Sequence, residues 1–270
     1  MSLSSFLLLL SGGIVAGTLG TLLGIGGGLF LIPFLVLVAG IPMHQAIATS
    51  IVAVIATSST GASVYLERGL VNMRFGMLLE VATVIGAVAG GLTANYLSGS
   101  ILSKIFATVM LVTAVLMLRR NTNNRTSETP VAGGAFASEF TDDASGNVIR
   151  YSVRKIPGTM AISLLAGNLS GLLGIGGGVF KVPAMHLLSG MPIKAAAATS
   201  NFMIGVTAAA SAFIYFSHGH LNPVYASAAV LGVLGGSFAG TRISKMIHGK
   251  TLVWIFVVVL LIVSIQMYLR

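Results

Sequence analysis

The sequence repeats itself when the chain is shifted by 150 positions, because glycines, prolines and polar residues then fall on identical residues. The glycine runs at 26–28 and 176–178 coincide. About a third of the positions in 17–120 are identical to those in 167–270, with no gap. Self-similarity at one fixed spacing is the signature of a duplicated structural unit. The chain must therefore fold as two copies of one design.

The two copies are strongly apolar, which fixes the environment in which they fold. Hydrophobic residues make up 55% of the chain and charged residues only 8%, whereas a soluble domain carries about 25% charged residues. Several apolar runs approach or exceed the ~20 residues that a helix needs to cross a bilayer. The sequence predicts an all-α polytopic membrane protein. It contains no cysteine, which excludes disulfides and thiolate metal sites.

Each copy divides into five apolar segments, of which the second is short and contains a proline, Pro33 or Pro183. The first two segments of each copy form either a re-entrant hairpin or two short, tilted helices. We expect an N-terminal transmembrane repeat over 1–120, a polar linker over 121–157 and a C-terminal transmembrane repeat over 158–270. The predicted segments cover residues 4–23, 27–39, 44–65, 75–97 and 101–118, then 158–173, 177–189, 194–216, 224–241 and 251–269.

The basic residues predict how the two copies lie in the membrane. With five crossings per copy, 12 lysines and arginines fall on one side and 2 on the other, leaving out Lys181, which lies inside a segment. Merging the first two segments into one crossing gives 9 against 5. Because cytoplasmic loops collect positive charge, the uneven split favours five crossings and an inverted second copy. We expect a multi-pass protein of the cell (inner) membrane with both termini outside.

The linker is polar and, with this topology, cytoplasmic. The stretches "AFASEFT" and "NVIRYSV" flank the turn-rich "DDASG", a pattern typical of a small β-hairpin. A disordered tether is the alternative. The linker holds four of the six acidic residues of the chain, Glu128, Glu139, Asp142 and Asp143.

The glycine runs admit three interpretations. A nucleotide-binding loop needs a strand before it and a helix after it, which the apolar surroundings argue against. Glycines four residues apart, such as Gly20, Gly24 and Gly28, suit close helix packing. Three successive glycines followed by a proline also predict a broken helix at membrane depth, which is compatible with packing. The half-helix after the break offers free amide groups and the positive end of its dipole, an arrangement that transporters with inverted repeats use to bind anions.

Polar side chains near the breaks complete the predicted site. Hydroxyls and an amide early in the third segment of each copy are candidate donors, with hydrogen bonds to their own helix as the alternative role. The predicted substrate-binding residues are Gly26, Gly27, Gly28, Thr49, Ser50, Gly176, Gly177, Gly178, Lys181, Thr199, Ser200 and Asn201.

Lys181 is the sharpest candidate because its counterpart in the first copy is Leu31, so the unit does not need a lysine to fold. A charge inside a membrane segment marks a functional site by default, with snorkelling to the cytoplasmic interface or a structural ion pair as alternatives. Glu80 is the one acidic residue well inside a segment, and it is close in sequence to Arg74. We expect Glu80 to snorkel at the interface rather than to carry protons. No histidine spacing suits a metal and no nucleophile–base set stands out, so we expect neither an enzyme nor a cofactor.

The duplicated pattern "GIGGG", followed by phenylalanine, proline and "ATS", resembles the TauE/SafE sulfite exporters of the 4-toluene sulfonate uptake permease family. The resemblance covers essentially the whole chain. It implies transport of sulfite, sulfoacetate or other organosulfonates, outward in some members and inward in others.

We therefore expect a secondary transporter, with export as the leading direction, that works by alternating access around a central site made by the broken helices. An anion channel, or a permease that takes up a different small anion, is the alternative. The expected partners are a small anionic substrate and the lipid bilayer, with no nucleic acid, and a homodimer is an open alternative to a monomer.

Overall fold

The computed structural model describes residues 3–23, 26–120, 134–141, 146–243 and 249–269. Within them the chain forms ten helices and one two-stranded hairpin. Six of the helices are long and apolar enough to cross a membrane. The predicted all-α membrane fold is confirmed.

The helices of the first copy follow the predicted segments closely. The second segment is too short for a full span. Its α-helix ends at Pro33 and continues directly into a π-helical turn over Phe34–Val38. The helices are α1 (Leu3–Leu23), α2 (Gly28–Pro33), α3 (Met43–Glu67), α4 (Met73–Tyr96) and α5 (Gly99–Arg120).

The second copy repeats this order after the linker. The predicted hairpin is present, and Ser138 pairs with Tyr151 and Thr141 with Val148 in antiparallel register. Most of the "DDASG" turn and three of the four linker carboxylates, those of Glu128, Asp142 and Asp143, lie outside the described residues. The elements are β1 (Ser138–Thr141), β2 (Val148–Tyr151), α6 (Ile156–Leu173), α7 (Gly178–Leu187), α8 (Ile193–Ser217), α9 (Pro223–Ile243) and α10 (Gly249–Leu269).

The most extensive packing joins the first helix of each copy to the fourth helix of the other copy, α1 to α9 and α4 to α6. In each pair the backbones nearly touch at glycines. A Cβ atom on Gly236 would overlap the carbonyl oxygen of Ile14, and one on Gly167 would overlap that of Thr83. In lipid the hydrophobic effect contributes little to helix association, so the van der Waals contacts that small residues permit at close approach stabilise the packing. Gly236 and Gly167 are therefore positions of close helix packing.

The two copies thus exchange their fourth helices. One bundle contains α1, α2, α3 and α9, and the other contains α6, α7, α8 and α4. The bundles meet chiefly where α3 packs against α8. In that contact Gly61 lies against Asn201 and Ser58 lies against Gly205, so the two helices run antiparallel. Antiparallel packing of equivalent helices supports the inverted relation that the charges predict.

The hairpin breaks the symmetry between the two ends of the molecule. Its side chains Phe140 and Tyr151 are buried against the second bundle, and Phe136 stacks edge-on against Phe75 at a ring distance of 5.9 Å. The equivalent position at the other end, beside Asn222 and Tyr225, is an open cavity of about 280 Å³ between α1 and α9. The linker therefore fills one of two related cavities.

Two neighbouring glycines of α9 test the close packing. An alanine at Gly236 would overlap the Ile14 carbonyl, whereas an alanine at Gly235 would meet no atom within 4 Å. We expect Gly236→Ala to lower the melting temperature in detergent, and Gly235→Ala to leave it unchanged or to raise it, since alanine is the better helix former by up to about 1 kcal/mol. Equal effects of the two changes would refute the packing argument.

Exposed residues at equivalent positions test the inverted relation. Arg68 follows α3 and His218 follows α8, and both are exposed. The native chain has no cysteine to interfere. Single cysteines at these two positions should react with a membrane-impermeant maleimide from opposite sides of the membrane. Labelling of both from the same side would show parallel repeats.

Candidate functional site

Both glycine runs are breaks made of left-handed residues. Gly26 and Gly27 have φ angles of 83° and 77°, and Gly176 and Gly177 have φ angles of 77° and 68°. Residues with a Cβ atom rarely adopt these angles, so glycine is required to turn the chain here. Gly27 and Gly177 each immediately precede the short helix of their copy. The predicted broken helices are confirmed; Gly24 and Ile25 lie outside the described residues.

The two breaks meet in the middle of the protein. A Cβ atom on Gly28 would lie 2.7 Å from the carbonyl oxygen of Gly174, and the Ser50 hydroxyl donates a hydrogen bond of 3.1 Å to that same oxygen. Gly26 and Gly176 both lie against Val54 and Ile204. These two apolar residues are equivalent in the repeat and are buried. The amino ends of α2 and α7 therefore converge on one buried region.

The hydroxyls near the breaks differ in their hydrogen bonding. Ser50 uses its hydroxyl to hold Gly174. Ser200, its counterpart, is fully buried beside Gly178, and its oxygen has no hydrogen-bond partner among the described residues. Thr49 is also fully buried with an unpartnered hydroxyl in the described part of the chain.

Two of the predicted site residues lie farther from the breaks. The Thr199 hydroxyl oxygen accepts a hydrogen bond of 3.0 Å from the backbone N–H of Asn72, where α4 begins. Thr199 thus contacts a helix boundary rather than a glycine break. Asn201 packs against Gly61 of α3, and its Oδ1 atom has no partner among the described residues.

Lys181 is fully buried, in the first turn of α7. Its Nζ donates a hydrogen bond of 3.3 Å to the hydroxyl of Thr207. That hydroxyl donates in turn to Glu80 Oε1 at 2.7 Å, and lies 2.9 Å from the Met203 carbonyl oxygen. The snorkelling alternative for Lys181 is wrong, because its ammonium group lies inside the protein.

The expectation for Glu80 is also wrong. Its side chain is only 7% exposed and is bonded to Thr207 of the second copy. It does not snorkel, because α4 is exchanged into the second bundle and turns Glu80 inward. Sequence spacing to Arg74 could not show this, since the exchange of α4 is a tertiary feature. Two signals did exist: Glu80 is the one acid inside a span, and Thr207 matches Thr57 in the repeat.

The repeat provides two equivalent positions for the Lys181 and Glu80 charges, and only one of the two positions is charged. The counterparts of Lys181 and Glu80 in the other copy are Leu31 and Val230. Thr57, the counterpart of Thr207, donates instead to the Gly26 carbonyl oxygen at 3.0 Å. The polar site is therefore concentrated around the second break.

Three histidines gather away from the breaks, where α3 begins and α8 ends. The rings of His44 and His220 stack at 4.9 Å, and those of His218 and His220 lie 6.5 Å apart. Partial burial lowers the pKa of His220 below its ordinary value, and the charges of His44 and His218 lower it further. Among the described residues, no group of three His, Cys, Asp or Glu side chains is placed to hold a metal ion.

Comparison with known proteins identifies the family. The model of the sulfite exporter TauE/SafE family matches residues 9–267. The chain belongs to the TauE/SafE family. It is 32% identical to the probable membrane transporter protein YunE of Bacillus subtilis, covering 97% of both chains. A probable membrane transporter protein of Xylella fastidiosa is 28% identical, over 96% of this chain and 92% of the relative. No solved structure matches. This TauE/SafE protein is a membrane transporter.

The buried charges can be tested by a double-mutant cycle. Lys181→Met or Glu80→Gln alone removes one charge and leaves the other buried without its partner, which costs about 3–5 kcal/mol. We expect both single variants to be less stable than the wild type, and the double variant to lose clearly less than their sum. Unfolding in detergent, followed by circular dichroism, measures the difference. As a control, the stability losses of Lys181→Met and of Glu67→Gln, which is at an exposed position, should add up in the double variant. Additive losses for Lys181→Met and Glu80→Gln would show that the two charges are independent.

Proposed function

We propose that this TauE/SafE protein is a secondary transporter of small sulfur-containing anions, such as sulfite, sulfoacetate or other organosulfonates. It binds them at the paired glycine breaks and needs neither ATP nor a cofactor. The observation that carries the proposal is the fully buried Lys181 in the first turn of α7.

A lysine at that position is electrostatically unfavourable beside the amino end of its own helix, although Glu80 supplies an opposite charge through the Thr207 hydroxyl. The amino end of a helix carries a partial positive charge, and a cation in the first turn repels it by roughly 0.3–1 kcal/mol. Desolvation of the ammonium adds to that cost. A bound anion would offset both effects at once, because the helix end and the lysine attract it together. The placement thus makes sense in a protein selected to bind anions.

The available donors suit a compact oxyanion. Lys181 has one acceptor among the described residues, Thr207, so two of its three N–H donors remain for a ligand. Ser200 Oγ lies beside Gly178, the first residue of α7. The amide groups of Gly178 and Val179 have no carbonyl partner within the helix, whereas those of Phe180 and Lys181 donate to the Gly177 carbonyl oxygen. A sulfonate or sulfite group has three acceptor oxygens to match them. The description of the family as sulfite exporters supports this substrate class.

The exchanged helices indicate how the site would open. The two bundles meet mainly along α3 and α8, and the glycine breaks lie beside that contact. Rocking of one bundle on the other would expose the site to each end of the protein in turn. We place the protein in the cell (inner) membrane, with both termini outside and the hairpin in the cytoplasm. We propose export as the direction of transport. A homodimer stays a prediction.

Ser200 offers a test with a matched control on the same helix. Its hydroxyl has no described partner, whereas the equally buried Ser211 donates to the carbonyl of Thr207 in its own helix. We expect Ser200→Ala to weaken sulfonate binding about 10- to 100-fold, the loss of one hydrogen bond to a charged group, and to leave the melting temperature unchanged. Ser211→Ala should bind normally.

The assay combines thermal shifts with sulfite, sulfoacetate and methanesulfonate and counterflow exchange in liposomes. Saturable exchange identifies a transporter, whereas conduction without exchange identifies a channel. No response to any of these anions would contradict the substrate class.

A further inference from the structure

Beside the second glycine break lies an electrically balanced group of three side chains from both copies. Lys181 and Glu80 carry opposite charges, and the Thr207 hydroxyl joins them through bonds of 3.3 Å and 2.7 Å. Lys181 and Thr207 are fully buried, and Glu80 is 7% exposed. Burial makes the electrical balance of this group important, because an unpaired charge in a low-dielectric interior costs several kcal/mol.

Each charged member of the group has unused hydrogen-bonding capacity. Glu80 Oε2 is buried without a partner in the described part of the chain, and Lys181 retains two N–H donors. An anion can accept hydrogen bonds from Lys181. The free oxygen of the Glu80 carboxylate has no proton to donate, and its negative charge repels the anion. A proton on Glu80 Oε2 removes that repulsion and turns the oxygen into a donor. The unused positions therefore fit an anion and a proton together.

We propose that each substrate monoanion binds with one proton, which is carried by Glu80, so that the protein couples anion transport to protons. This rests on the proposed function. Without the proton, an anion at Lys181 would place two negative charges around one buried positive charge. With it, the occupied site stays neutral, as the empty site is. Anion and proton are then taken up on one side of the membrane and released on the other together.

The repeat supports a role in coupling rather than in folding. The equivalent positions hold Leu31 and Val230, so one copy of the unit folds with neither charge. The pair also joins elements of both copies, since Glu80 lies on α4 of the first and Lys181 on α7 of the second. The same group thus bridges the exchanged helix α4 and the short helix α7, which begins at the second break.

Other titratable groups lie at the ends of the elements that pack around Glu80. On its own helix, Arg74 is close to the start and Tyr96 is the last residue. On α7, His186 bonds through Nδ1 to the Met191 carbonyl oxygen at 2.7 Å. On α8, Lys194 and Tyr215 lie in the first and last turns, and the described residues of α6 include no titratable side chain. The hairpin, which packs against Phe75 and Leu79 of α4, adds Tyr151 and the exposed ion pair of Glu139 and Arg150. Lys181 is thus the titratable group that shares the Thr207 hydroxyl with Glu80.

The test uses the full-length protein in detergent and methanesulfonate as the probe, because this anion keeps a single charge between pH 5.5 and 8. Where Glu80 is ionised in the free protein, binding should weaken by about tenfold for each unit of pH increase. A pH-indicator dye in weakly buffered solution should show one proton taken up for each methanesulfonate bound.

Two variants assign the proton to Glu80. Glu80→Gln resembles the protonated side chain, so it should bind methanesulfonate with little pH dependence and take up no proton. Glu67→Gln, at an exposed position, should behave like the wild type and controls for charge removal. If Glu80→Gln does not fold, the wild-type proton count still decides.

The outcomes separate the two proposals. If none of sulfite, sulfoacetate and methanesulfonate binds at any pH, the proposed function fails and the coupling fails with it. If methanesulfonate binds with the same affinity at pH 5.5 and 7.5 and no proton is taken up, the coupling is overturned while the proposed function stands. Proton uptake that persists in Glu80→Gln would overturn the assignment to Glu80 and point to the histidines.

Discussion

Unwound backbone inside a membrane is the constraint on which the rest of this structure depends. A polar backbone group facing lipid costs several kcal/mol, so a break at membrane depth survives only where protein or a wet cavity surrounds it. Here each glycine break is enclosed by residues of both copies. Ser50 bonds to Gly174 across the repeat, and Val54 and Ile204 cover both turns. The two copies bury the two breaks together, which gives a physical reason for the unit to occur twice in one chain.

The exchange of fourth helices follows from the same need. Gly236 and Gly167 let the helix pairs approach until their backbones nearly touch, which fixes α9 on α1 and α4 on α6. Each glycine break then packs against one helix bundle. The exchange also brings Glu80 of the first copy to Lys181 of the second, so the packing that stabilises the fold assembles the charged group as well.

The sequence alone predicted much of the fold, because its strongest signals are local or periodic. The segments, the hairpin and the broken helices are all confirmed, since apolar length, turn residues and glycine runs act over a few residues. The inward position of Glu80 was missed because it depends on which helix packs against which. Thr199 was grouped with Ser200 as its neighbour, although on a helix adjacent residues face different directions. Lys181 stands out in the sequence because the equivalent position of the repeat holds Leu31, and its role in binding stays a prediction.

The central claim is that the facing glycine breaks hold the anion, and locating a bound anion tests it most directly. A crystal structure with 2-bromoethanesulfonate would reveal the ligand through the anomalous signal of bromine. The account predicts that the sulfonate lies at the amino end of α7, with oxygens within hydrogen-bond distance of Lys181 Nζ and Ser200 Oγ. A sulfonate bound instead in the cavity beside Asn222 and Tyr225, with the region between the breaks empty, would contradict it.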